Sequence, residues 1–131
     1  MSAQPPAKES AGRRLVKSFV YAGRGILILL WTQANARLHT AAAIAAVAAG
    51  WFFDISRVEW CAVVGAIGLV FTAEGVNTAI ESVVDLASPK MHPLAGRAKD
   101  VAAGAVLLAA MAAAVIGLLV FGPRVWDWIQ H

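Results

Sequence analysis

Along the chain, polar and apolar positions separate into one amphipathic segment followed by three apolar ones. Residues 1–12 are polar, carry paired prolines and show no hydrophobic period, so they are expected to form a disordered tail. From Arg13 the period becomes helical. At 100° per residue, Arg13, Lys17, Tyr21 and Arg24 share an arc with Arg14 and Ser18 at its edge, and Leu15, Phe19, Val20, Ile26 and Leu27 lie largely opposite. A basic face over an apolar face predicts a helix over 13–33 lying in the membrane interface. A secretory signal would also place basic residues before an apolar run and an Ala34-Asn35-Ala36 site, but the run from Gly25 to Trp31 is at the lower limit for a signal core. Bulky Trp31 and then Gln33 follow it, and cleavage would discard the basic face.

Three apolar segments follow, with expected spans at about 37–53, 57–86 and 100–122. The first two are short unless they include flanking polar residues; the third is uncharged from Val101 to Gly122. Ser56-Arg57-Val58-Glu59 fits a capping box, with Ser56 as N-cap and Glu59 three residues on, so the second span is expected to start there. Gly122-Pro123 is expected to end the third, and Ser88 to Gly96, carrying Pro89 and Pro93, to be a loop.

Composition agrees with a lipid environment. Of 131 residues, 60% are hydrophobic and only 15% charged, whereas about a quarter are charged in soluble domains. A single domain of this length could not hide so much apolar surface in its own interior. The net charge of +3 would allow a nucleic-acid partner, but the basic residues are laid out by topology instead. Lys8, Arg13, Arg14, Lys17, Arg24, Arg37, Lys90, Arg97 and Lys99 fall on one side of a three-span arrangement, and only Arg57 and Arg124 on the other. That excess assigns the amino terminus and the 86–100 loop to the cytoplasm. The single Cys61 excludes an intrachain disulfide framework or a zinc site. Alanine-rich runs (Ala41 to Ala49, Ala102 to Ala114) allow close helix packing, and three thin helices enclose so little that an oligomer is expected.

The chemistry concentrates in Ala73 to Asp85. Glu74, Asn77, Thr78, Glu81 and Asp85 recur at i, i+3, i+4, i+7 and i+11, within an arc of about 100° on a helix. Each acid costs roughly 2.5–3.5 kcal/mol at a membrane centre. One explanation is a structural cluster with Lys99, Arg97 or Arg37; the other is a divalent cation, magnesium or calcium, held by hard oxygens. Lys99, read as lying near a helix N-terminus, is placed to attract phosphate. His92 alone reads as an ordinary loop histidine. An acidic face opposite a basic helix start suits phosphoryl transfer, in which positioning and charge neutralisation dominate.

Glu74-Gly-Val-Asn77-Thr78-Ala79-Ile80-Glu81-Ser-Val-Val-Asp85, followed by Ala98-Lys99-Asp100, resembles the signature of the small prokaryotic integral-membrane lipid kinases, the diacylglycerol kinase and undecaprenol kinase family. The likeness runs from about Arg14 to Phe121. It implies an all-α membrane protein, a homotrimer of three-span subunits each with an amphipathic surface helix, in the cell's inner membrane with its active site facing the cytoplasm. By this resemblance Glu74 is the general base toward a membrane lipid hydroxyl and Glu81 a magnesium ligand. Arg14, Tyr21, Lys90, Met91, His92, Lys99 and Asp100 match positions that bind ATP, Asn77 positions groups around the base, and Asp85 supports the polar cluster. The sequence departs from the pattern at Gln33, which stands where the family commonly has a magnesium-binding Glu; an amide oxygen can ligate but brings no charge. The implied activity is ATP-dependent phosphorylation of a lipid alcohol, with undecaprenol favoured over diacylglycerol by the segments 32–39 and 87–95. The rival class is a membrane scaffold or degenerate kinase. No nucleic-acid partner is implied.

Overall fold

A computed structural model describes residues 10–90 and 92–131; the expected tail up to residue 9, including Lys8, and the nucleotide-site expectation for Met91 lie outside the described residues. The described chain is helical throughout, in the order α1 (Ala11–Thr32), α2 (Ala34–Phe52), α3 (Arg57–Ala87) and α4 (Pro93–Gln130), without strands. By length and apolar content α1, α3 and α4 could each cross a membrane. α2 carries Asn35, Arg37 and His39 in its first two turns, which dilutes its apolar content.

A single residue separates α1 from α2. Gln33 is extended (φ −100°, ψ 117°), and its N–H closes α1 on the Leu29 carbonyl. The Thr32 hydroxyl back-bonds to the Ile28 carbonyl at 2.8 Å, a competing interaction that bends helices. Gln33 is therefore the corner, or hinge point, at which α1 gives way to α2, a position that its family match does not reveal.

At the other end of α2 the chain reverses within four residues. Asp54 adopts φ 48°, the left-handed conformation that a short polar side chain tolerates. Around it the Asp54 N–H reaches the Trp51 carbonyl and the Ile55 N–H the Gly50 carbonyl, the two bonds of a Schellman cap. Gly50 is required by a close approach: a Cβ there would stand 2.7 Å from Trp60 Cη2 and 3.2 Å from Ile55 Cδ1. Next comes the capping box expected at Ser56. Glu59 Oε2 accepts from the Ser56 N–H at 2.8 Å, and the Ser56 hydroxyl accepts from the Glu59 N–H at 3.4 Å. Ile55, Val63 and Val120 are buried here under Phe53, Trp60 and Phe121.

The main packing is α3 on α4. α3 buries Val63, Ala66, Val70, Glu74 and Asn77, and α4 presents Ala102, Val106, Ala109 and Val120; small side chains let the two backbones approach where lipid supplies no hydrophobic drive. Large apolar groups such as Leu107, Leu108, Leu118 and Leu119 point outward, which in water would be a liability and in lipid is solvation.

α4 corrects three sequence expectations. It begins at Pro93, with Pro at the first helical position, where its missing N–H and preset φ do no harm. The loop therefore shrinks to 88–92, and Lys99 is the seventh helical residue, beyond the free N–H groups of the first turn. Nor does Gly122-Pro123 end the helix, which continues to Gln130. Gly122 has no Cβ to meet the proline ring, and Arg124 Nη1 donates to the Val120 carbonyl at 2.6 Å close to the gap in the hydrogen-bond ladder. At 1.5 Å per residue α4 is about 57 Å long, so the span expected at 100–122 is its middle.

Candidate functional site

The polar stripe of α3 emerges gradually from the helix interface. Glu74, at 2% exposure, is the largest fully buried side chain among the described residues, and Asn77 is buried next to it. Thr78 and Glu81 are half-buried, and Asp85 is exposed. The shared face is thus the one expected, but its members occupy different environments because α3 runs out from the bundle toward the 88–92 loop.

Two polar atoms at the buried end have no partner among the described residues: Glu74 Oε2 and Asn77 Oδ1. Leaving such an atom unsatisfied costs on the order of 1–3 kcal/mol, so a partner beyond the described residues is expected at this end of the stripe. Asn77 Nδ2 donates to Glu81 Oε1 at 3.1 Å, which fixes one carboxylate oxygen of Glu81. The Thr78 and Ser82 hydroxyls turn back onto the Glu74 and Thr78 carbonyls.

Farther along, Asp85, Ser88, Lys90, His92 and Lys99 line a hollow of about 570 Å³ between the end of α3 and the start of α4. Lys99 Nζ meets Asp85 Oδ1 at 2.5 Å. For Asp85, pairing with Lys99 is therefore what the structure shows, one of the two explanations open for the acidic stripe. His92 is more than a loop residue: it is the N-cap of α4, its Nδ1 accepting from the Leu94 N–H at 3.2 Å. The Ser88 hydroxyl holds the loop by donating to the Lys90 carbonyl at 2.9 Å.

Other candidates lie apart. Arg14 and Tyr21 are exposed on α1, Asp100 is exposed on α4, and none of them lines the hollow. Gln33 is half-buried at the α1–α2 hinge, and among the described residues no hydrogen bond joins it to Glu81. Nor do three His, Cys, Asp or Glu side chains come together as a metal cage there. The donor set nevertheless suits magnesium, which keeps several waters and takes one or two carboxylates plus substrate phosphates; Glu81, half-buried and anchored through one oxygen only, is of that kind.

Sequence reasoning missed one contact at the opposite end. Arg124 pairs with Glu59 at 2.8 Å through Nη1 and 2.9 Å through Nη2, joining α4 to the capping box of α3. The capping box marked Glu59, but nothing local linked it to a residue 65 positions away.

A sequence profile for prokaryotic diacylglycerol kinase matches residues 20–121, which include the stripe and the hollow. The chain is 48% identical to an undecaprenol kinase of Bacillus subtilis (strain 168), over 85% of this chain and 90% of that protein. It is 40% identical to a diacylglycerol kinase of Synechocystis sp., over 88% of this chain and 68% of that protein, and 31% identical to a diacylglycerol kinase of Escherichia coli (strain K12), over 78% and 84%. With the acidic stripe inside the matched region and apolar helices on either side of it, this multi-pass membrane chain belongs to the prokaryotic diacylglycerol kinase family.

Proposed function

We propose that this chain transfers the γ-phosphoryl group of ATP to a membrane lipid alcohol, with undecaprenol as substrate and undecaprenyl phosphate as product. The observation that carries the reading is the buried Glu74 carboxyl with its unpartnered Oε2, within a chain that is 48% identical to an undecaprenol kinase. Diacylglycerol is the second substrate to test, because relatives of that name match at 40% and 31% identity.

In the proposed reaction the lipid hydroxyl oxygen attacks the γ-phosphorus, its proton passes to Glu74, and the bond to the β-phosphate oxygen breaks to release ADP. General-base assistance of this kind contributes about 10²–10⁴ in rate. Asn77 holds Glu81 in place, and Glu81, with Gln33 as a neutral helper, would hold magnesium. Bound there, the ion would neutralise phosphate charge. Lys90, His92 and Lys99 form the wall of the nucleotide site, and a nucleotide role for Arg14, Tyr21 and Asp100 rests on the family resemblance alone.

Three further elements complete the reading. α1 lies in the interface with its basic arc toward headgroups, hinged at Gln33, and α2, α3 and α4 span. The excess of basic residues on the α3–α4 loop side assigns that side to the cytoplasm, in the inner membrane. A homotrimer would cover exposed alanines of α2 such as Ala41, Ala42 and Ala45 and bring further donors to the site. The deciding experiment uses purified protein in micelles with labelled ATP and magnesium, and undecaprenol and diacylglycerol in competition. Preferential labelling of undecaprenol is expected; preferential labelling of diacylglycerol moves the assignment to that lipid, and labelling of neither supports a scaffold or degenerate kinase.

A further inference from the structure

Among the described residues two ion pairs tie α3 to α4, one near each end, and they differ in kind. Glu59–Arg124 is two-pronged, with side chains 27% and 30% exposed, and is fused to a capping box and a backbone carbonyl. Asp85–Lys99 is a single contact, with side chains 67% and 38% exposed, and it stands on the wall of the 570 Å³ hollow. A pair so open to water adds little to folding. Its position is what distinguishes it: among the described residues Asp85 is the one acid on a wall that also carries Lys90 and Lys99, and it bridges the loop by pairing residues 14 apart.

We propose that Asp85 is a positioning residue for Lys99, holding its ammonium at the hollow until a nucleotide phosphate takes the carboxylate's place. The inference rests on the kinase reading above and assigns Asp85 a specific task within it. A carboxylate oxygen and a phosphate oxygen are equivalent acceptors for an ammonium group. Lysine is a point charge on a flexible four-carbon stem, and ordering such a stem is among the larger side-chain entropy costs. The contact with Asp85 restricts the stem before ATP arrives, so less freedom is lost on binding. Because Lys99 sits beyond the first turn of α4, the free N–H groups of the helix start do not orient it; the partner on α3 does. Exposure of the pair makes the exchange with phosphate inexpensive.

The test compares wild type, Asp85→Asn and Asp85→Glu in micelles, measuring KM for ATP, kcat at saturating ATP, and thermal unfolding. Asp85→Asn should raise KM for ATP roughly three- to tenfold, the scale of part of the rotamer freedom of a lysine stem, with kcat within about twofold and Tm unchanged. Asp85→Glu, which keeps the charge on a longer arm, should bring KM most of the way back. A lower KM in Asp85→Asn would mean that the carboxylate merely competes with phosphate, and the proposal would be wrong. So would a loss of Tm and kcat together at constant KM, which is the mark of a structural strut. Wild-type protein that labels no lipid overturns the kinase reading itself, a result distinct from an active wild type whose KM ignores Asp85.

Discussion

Asn77 Nδ2 donates to Glu81 Oε1 at 3.1 Å, one turn along α3, from a buried residue to a half-buried one. The bond converts the last buried position of the helix interface into a guide for the first carboxylate outside it. Asn77→Leu removes the donor while keeping comparable bulk. The expected outcome is a severalfold higher magnesium concentration for half-maximal rate with the protein still folded, measured by magnesium titration at saturating ATP alongside thermal unfolding.

Glu74→Gln should abolish phosphoryl transfer while leaving folding and ATP binding near wild type, since the amide keeps the shape of the buried side chain but cannot accept the proton. The expected loss is about 10²–10⁴ in rate. More than half of wild-type turnover in the variant would remove Glu74 from the role of base.

Gln33→Glu should lower the magnesium concentration for half-maximal rate, because a carboxylate adds an anionic hard ligand where a neutral amide stands. Overlapping titration curves for the two proteins would take Gln33 out of the metal site and leave it as the hinge residue between α1 and α2.

Arg124→Ala should lower Tm by a few degrees and leave KM for ATP unaltered. The variant loses both contacts to Glu59 and the donor to the Val120 carbonyl, all at the end of α4 far from the 88–92 loop. A shift in ATP kinetics at constant Tm would mean that this end of the bundle communicates with the hollow.

Gly50→Ala places a Cβ 2.7 Å from Trp60 Cη2 and 2.8 Å from Cζ2. Relief requires the indole to move away from the Schellman turn, and overpacking of this kind costs about 1–3 kcal/mol. Thermal unfolding in detergent should register the loss, while the equivalent change at Gly65, where a Cβ meets nothing within 4 Å, should be silent.

Legible in the chain before any fold is known is whatever depends on neighbours within a turn or two. The helical period placed Glu74, Asn77, Thr78, Glu81 and Asp85 on one face, and the Ser56–Glu59 spacing placed the start of α3, because both follow from 3.6 residues per turn and from local capping. The length and rarity of the motif around Glu74 carried the family. Tertiary structure decided how that face is graded from buried to exposed, because burial depends on where α4 packs. It decided that Asp85 pairs with Lys99 and Glu59 with Arg124, contacts across 14 and 65 residues that no local period encodes. It also decided that α4 runs through Pro123 and starts at Pro93. Proline is a helix breaker only in proportion to what it leaves unpaired, and here one proline sits where no N–H is needed while the other follows a glycine and is flanked by an arginine that serves a carbonyl.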